Sequence, residues 1–296
     1  MPRLEPVRLL TIAGNTHQAD YLHHIRHLLD TLRNRGIRLA VERRFASYLA
    51  SHGIATAPCE SVDEPPADAG AAISIGGDGT FLRTARWIGR LRTPVLGINT
   101  GHLGFLSGYD PAETEMLTQM LLDGDAEVES RMALRVDVDE ADRNLLPRLP
   151  YALNEVAILK EETASMISVN VGLSGNYLAD YLADGLLIST PTGSTGYNLS
   201  AGGPILFPDL DVICLAPIAP HTLTARPVVA SGDSVVRART TSRSPRYRVS
   251  LDGVSFLMPE GSAITVTRAD FAPRVIRRRD DSFADTLRHK LLWGMR

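Results

Sequence analysis

The first hundred residues alternate short apolar runs with stretches whose apolar side chains recur every three or four positions. Val7 to Ala13 is mostly apolar, the mark of a buried strand, and Leu22, Ile25, Leu29 and Leu32 follow at helical spacing. Gly36 closes that helix as a C-cap. Ile37 to Val41, Ala71 to Ile75 and Pro94 to Ile98 predict three more strands, and residues 42–52, 79–90 and 111–122 predict three more helices. Strands alternating with helices imply a parallel sheet covered on both faces, so residues 1–130 are expected to form a Rossmann-like α/β domain. Residues 57–70, rich in Pro, Ala, Asp and Glu, read as a surface loop.

Beyond residue 130 the period changes to two. Leu134/Val136/Val138, Ile167/Val169/Val171/Leu173, Tyr247/Val249/Leu251 and Ile264/Val266 alternate with polar neighbours, and Ser174-Gly175-Asn176, Gly232-Asp233 and Glu260-Gly261 supply turns between such runs. Residues 131–276 are therefore expected to form a β-rich, antiparallel, sandwich-like domain. A last helix over residues 282–293 follows the strands, and the segment 277–296 is expected to fold back onto the first domain or to pack on a neighbouring subunit.

Composition narrows the function. The 296 residues carry 31 basic and 34 acidic side chains, a formal charge of −3, which gives no global reason to expect nucleic acid as a partner. The basic tail from Phe271 to Arg296 is the local exception, and it reads as a solvated or intersubunit face. Cys59 and Cys214 form no disulfide framework or zinc cluster, so a reducing, cytoplasmic compartment is expected. No apolar run approaches the roughly 18 residues of a membrane span, and no membrane partner is expected. The histidines show no metal-ligand spacing, and no metal-binding side chains are expected.

Two stretches carry chemistry. Ile73 to Thr80 sets Gly76-Gly77-Asp78-Gly79 between a buried strand and a helix. Glycines let a ligand approach the backbone, and the helix start offers unpaired N–H groups, which suits phosphate. Neither G-x-x-x-x-G-K-[ST] nor G-x-G-x-x-G is present. An acid beside phosphate needs another task, such as holding magnesium or accepting a hydroxyl proton, unless Asp78 merely caps the helix. The second stretch, Asp184 to Pro204, crowds Ser, Thr and Gly around Tyr197 and Asn198; its hydroxyls and backbone need partners, which a polar ligand would supply. Asn154-Glu155 in the strand Tyr151 to Lys160 forces one polar side chain inward or into a cleft, unless the strand is an edge. Leu96 to Phe105 suits a switch-point loop of an α/β sheet, or a plain domain junction.

Taken in order, Gly76 to Thr80, Leu96 to Phe105, Asn154-Glu155, Asp184 to Pro204, Pro217 to Leu223 and Asp252-Gly253 resemble the NAD kinase family, bacterial type. The resemblance implies transfer of the terminal phosphoryl of ATP, with Mg²⁺, to the 2′-hydroxyl of the adenosine ribose of NAD, giving NADP, at a site in the cleft between the two domains. It implies that Asp78 accepts the ribose proton, and that Asp78, Gly79, Arg83, Asn154, Glu155, Asp184 and the run Thr195, Gly196, Tyr197, Asn198, Leu199 and Ser200 bind the dinucleotide. A homodimer or homotetramer, with sites that borrow residues from a neighbour, is also implied. Gly196 stands where many relatives have Ala, and Ser165 where several have a basic or imidazole side chain. A lipid or sugar kinase sharing the Gly-rich loop, and a catalytically silent dinucleotide sensor, are the alternatives.

Overall fold

A computed structural model describes residues 2–56, 59–101, 104–161, 165–279 and 281–292. In chain order the elements are β1 (Leu9–Gly14), α1 (Leu22–Asn34), β2 (Arg38–Glu42), α2 (Arg43–Ser51), β3 (Glu60–Val62), β4 (Ala71–Ile75), α3 (Asp78–Ile88), β5 (Val95–Ile98), α4 (Thr114–Asp123) and β6 (Glu127–Ser130). Then come β7 (Leu134–Val138), β8 (Tyr151–Ala152), β9 (Glu155–Lys160), β10 (Ile167–Leu173), β11 (Asn176–Ala183) and β12 (Gly185–Ser189). After them follow α5 (Tyr197–Ser200), β13 (Val212–Ile218), β14 (Val228–Ser231), β15 (Val236–Thr241), β16 (Arg246–Leu251), β17 (Val254–Pro259), β18 (Ala263–Arg268), β19 (Arg274–Arg277) and α6 (Phe283–Leu291). The chain divides into two compact units, Met1–Ser130 with Pro273–Arg296, and Arg131–Ala272.

The first unit is built on a seven-stranded sheet of order β3-β2-β1-β4-β5-β19-β6. The first six of these strands run parallel, and only β6 lies antiparallel to its neighbour β19, with Arg274 opposite Ser130. All six residues of β1 are buried, as a central strand covered on both faces must be. Helix α1 buries Ile25, Leu28, Leu29 and Leu32 along one stripe, the face its spacing predicts. Strand order reverses at β1/β4, so the loops leaving the carboxyl ends of these two strands flank the switch point where α/β sheets bind ligands.

The second unit is all β apart from short helical turns. Its sheets have orders β11-β10-β15-β18-β7-β8 and β14-β13-β12-β9-β16-β17, with antiparallel neighbours throughout. Val136, Val169, Val171, Ala238 and Val266 of the first sheet share one buried cluster with Val156, Ile158, Ile188, Leu215 and Val249 of the second, the core of a sandwich. Strand β12 is buried on both faces, because Ala157, Leu187, Leu206, Cys214 and Ala216 form a second cluster on the outer side of its sheet. The α/β plus antiparallel sandwich expected from the periods is the fold observed.

Two local expectations change. The surface loop over residues 57–70 contains β3, a three-residue edge strand too short and too exposed for a period to show. The predicted strand Tyr151 to Lys160 is two strands, β8 in one sheet and β9 in the other, with a bend at Leu153-Asn154. Part of the basic tail forms partly exposed ion pairs within the first unit: Arg278 with Glu113 at 2.5 Å, Arg279 with Asp125 at 2.7 Å, and Arg288 with Asp285. Residues 293–296, including Trp293 and Arg296, lie outside the described residues, as do His102 and Leu103 of the loop after β5.

Candidate functional site

Strand β4 delivers the chain into the Gly-rich turn. Gly76 has φ +151, a conformation L side chains rarely adopt, and a Cβ there would collide with the Thr80 side chain. Gly77 is the N-cap of α3 and gives it no side-chain cap; Asp78 is the first helical residue. Its carboxylate does not cap the helix. It turns to the segment after β5, where Oδ2 accepts the N–H of Phe105 at 2.6 Å and Oδ1 accepts those of Leu106 at 2.9 Å and Ser107 at 3.0 Å. Gly104 packs so closely on this carboxylate that any Cβ would overlap it. Of the two oxygens, each with two lone pairs, Oδ2 has spent only one on these amides. Gly79 is exposed on the first turn of the helix.

Arg83, one turn further along α3, does not present a free fork. Its Nη1 donates to both oxygens of Glu42 at 2.8 and 3.0 Å, and Nη2 donates to the carbonyl of Gly14 at 2.5 Å, so the guanidinium ties α3 to the ends of β1 and β2. This bridge spans 41 residues of sequence, and no local pattern announces it.

In the second unit the bend between β8 and β9 is held by Asp252, in the turn between β16 and β17. Asp252 Oδ2 accepts the N–H of Leu153 at 2.6 Å, while Oδ1 accepts those of Asn154 at 2.9 Å and Glu155 at 3.1 Å. Asp252 takes a left-handed backbone, φ +49, to do so. In the sequence Asp252-Gly253 stands only among the motifs of the family resemblance, with no role attached. Two acceptors beside the clamp are buried and make no hydrogen bond, Asn154 Oδ1 and Glu155 Oε2. Burial, and secondarily the charge of Asp252, pushes the Glu155 carboxyl up to about 7.

The Ser/Thr-rich run answers its own hydroxyls to a larger extent than its composition implies. Thr190 Oγ1 donates to Leu153 O at 2.6 Å and accepts the N–H of Gly193 at 3.1 Å. Ser194 Oγ donates to Leu206 O at 3.2 Å and accepts the Leu206 N–H at 3.0 Å. Asn198 is fully buried and its amide nitrogen donates to Ser194 O and Pro204 O, so it secures the turn. The expectation that a ligand must supply these partners is corrected for Thr190, Ser194 and the Asn198 amide nitrogen. Thr195, Gly196 and Leu199 remain half-buried, and Tyr197 and Ser200 are exposed. A Cβ on Gly196 would stand 3.3 Å from Asn154 Nδ2 and 3.5 Å from Glu155 Oε2, which places this stretch directly against the Asn154-Glu155 pair.

Asp184 lies apart from that pair within the unit. It precedes β12, pairs with Lys160 Nζ at 2.5 Å and belongs to the far end of β9, five strand residues from Glu155, or about 16 Å. Among the described residues no three His, Cys, Asp or Glu side chains converge so as to hold a metal ion, and Asp78 has three of its four lone pairs engaged.

Residues 11–126 match the family described as the ATP-NAD kinase N-terminal domain, and residues 153–278 match the ATP-NAD kinase C-terminal domain. The chain belongs to the ATP-NAD kinase family. Relatives in that family include the NAD kinase of Porphyromonas gingivalis strain W83, 45% identical over 289 residues that cover 97% of this chain and 99% of that one. The NAD kinase of Bacteroides fragilis is 42% identical over 284 residues, covering 96% and 97%. Among solved structures, an NAD kinase from Archaeoglobus fulgidus in complex with ATP superimposes with a TM-score of 0.71 at 26% identity, covering 92% of this chain and 94% of that one. The yeast NADH kinase complexed with NADH shares the fold, with a TM-score of 0.84 at 21% identity over 99% of this chain and 89% of that one.

Proposed function

We propose that this chain transfers the terminal phosphoryl group of ATP to the 2′-hydroxyl of the adenosine ribose of NAD, giving NADP and ADP. The observation that carries the reading is the seating of Asp78: a carboxylate held by three amides at the switch point, with one lone pair of Oδ2 unspent, in a chain matched to both halves of the family. The ribose oxygen forms a bond to the γ-phosphorus, the bond from that phosphorus to the bridging oxygen of ADP breaks, and Asp78 Oδ2 takes the hydroxyl proton. Phosphoryl transfer needs alignment and charge neutralisation more than deep deprotonation, so a weak but rigidly held base suffices.

Asn154 and Glu155 fit the dinucleotide. Their buried, unpartnered oxygens await donors, which ribose hydroxyls and the adenine amine provide. Thr195, Gly196, Tyr197, Leu199 and Ser200 wall this position, Tyr197 offering a ring and Ser200 a hydroxyl, while Asn198 shapes the wall from behind. Gly79 presents its backbone at the helix start. Arg83 serves through its bridge to Glu42 and Gly14, which fixes the start of α3, rather than by gripping phosphate. Asp184 stands too far along β9 to join Glu155 within one chain, and its place in the site is through the homodimer or homotetramer that the resemblance implies. Among the described residues no three acidic, His or Cys side chains converge on one point; Mg²⁺ would be carried by the ATP phosphates and would supply charge neutralisation there. A cytoplasmic location suits an enzyme using these nucleotides.

The test is direct. The purified chain is incubated with NAD, ATP and Mg²⁺, and NADP is followed with an NADP-specific dehydrogenase, with diacylglycerol and fructose 6-phosphate as competing acceptors. NADP formation with neither competitor phosphorylated is expected. Phosphorylation of a competitor instead, or NAD binding without turnover, overturns the reading.

A further inference from the structure

The terminal helix carries a lysine where a packed helix wants a hydrocarbon. Helix α6 is N-capped by Ser282, whose Oγ accepts the Ala284 N–H at 3.2 Å, and it is anchored by Leu287, only 4% exposed. Lys290 follows Leu287 by three residues and so shares its inward face. Its Nζ is buried and makes no hydrogen bond, although an ammonium carries three donors. What it has is the ring of Phe105, with Nζ 5.4 Å from the centroid. Burial, the largest influence, lowers the Lys290 pKa; the charges of Asp78 and Asp281 oppose this and Arg277 adds to it.

Phe105 is also the residue whose N–H is donated to Asp78 Oδ2. The ammonium therefore sits on the loop that seats the proposed base, and it feels the charge of Asp78 without bonding to it. A buried cation with unspent donors is costly, and such a group persists where an acceptor arrives to use it. The acceptors this chemistry brings to Asp78 are phosphate oxygens. Arg83, on the helix that starts at the Gly-rich turn, has its Nη atoms committed to Glu42 and Gly14.

We propose that the Lys290 ammonium is a catalytic group that takes a substrate phosphate oxygen beside Asp78. The inference rests on the kinase reading above. A lysine suits the role as a compact charge on a flexible stem, able to follow a phosphoryl group from donor to acceptor.

Lys290→Met, Lys290→Gln and Lys290→Arg, made in the full chain, test it. NADP formation is measured against ATP and against NAD separately, binding of a non-hydrolysable ATP analogue and of NAD by calorimetry, and Tm alongside. The Met and Gln variants are expected to keep or raise Tm, because they remove a buried unpaired charge, while turnover falls by about 10²-fold, with Arg recovering at least about tenfold of the loss. Weakened binding of the ATP analogue assigns the oxygen to the triphosphate; weakened NAD binding assigns it to the dinucleotide pyrophosphate; a fall in kcat alone assigns it to the phosphoryl group in transfer. Unchanged kinetics in Lys290→Met, or a loss that tracks a drop in Tm and is shared equally by Lys290→Arg, overturns the proposal. An inactive wild-type chain would instead overturn the kinase reading.

Discussion

Asp252 acts on Glu155 twice: its Oδ1 accepts the Glu155 backbone N–H at 3.1 Å, and its charge, added to the larger effect of burial, disfavours the ionised Glu155 side chain. The clamp that fixes the bend is thus also an electrostatic neighbour of the residue it positions.

A pH dependence of stability follows. The folded Glu155 carboxyl stands at about 7 against an ordinary 4.5, so between these values the folded state binds more protons than the unfolded chain. Its contribution is fully favourable below pH 4.5 and is lost as pH rises through about 7, a change on the order of 3 kcal/mol. Glu155→Gln is expected to flatten this slope and to be more stable than the parent at pH 8, as read by urea unfolding at pH 5, 6, 7 and 8. A parent slope that survives the substitution would show that another group is responsible.

Asp78→Asn separates anchoring from proton transfer. The amide keeps one oxygen for the Leu106 and Ser107 N–H groups and sets an NH₂ against that of Phe105, a loss of about 1–2 kcal/mol of stability. Turnover is expected to fall by about 10² or more, with NAD affinity within threefold of the parent. Calorimetric binding, thermal unfolding and NADP formation on one preparation check all three. A large loss of NAD affinity with unchanged turnover per bound ligand would assign Asp78 to binding instead.

Much of this chain could be read before its structure. The periods of β1, α1, β4 and the antiparallel strands of the second unit reflect burial on one or two faces, and burial is what hydrophobic patterning encodes. The seat of Asp78 and the clamp of Asp252 could not be read, because a carboxylate's partners here are backbone amides, which carry no residue identity. The hydroxyls of Thr190 and Ser194 misled for a related reason: composition shows a demand for hydrogen bonds and not the carbonyls of Leu153 and Leu206 that meet it. Lys290 left no trace at all in the pattern, since a charged residue on a terminal helix ordinarily faces solvent.

Arg83 gives a prediction of opposite sign to that of a ligand residue. Glu42 is 16% exposed and loses its counter-charge in Arg83→Met, which is expected to cost about 1–3 kcal/mol after allowance for the partial exposure of the arginine. The double variant Arg83→Met with Glu42→Gln should recover most of that loss, and KM for NAD should stay within about threefold in both. Chemical denaturation of the two single and the double variants measures the coupling. A raised KM with unchanged stability would return Arg83 to the substrate.

The position of β19 has a consequence for synthesis. The sheet of the first unit receives one of its inner strands only from residues 274–277, wedged between β5 and β6 after the whole second unit has been made. Until the ribosome reaches that point, β5 has an open hydrogen-bonding edge and β6 lacks its partner, which leaves the nascent N-terminal half exposed to edge-to-edge association. A chain stopped near residue 270 would carry every residue of the proposed site except Lys290 and still lack the strand that closes its sheet.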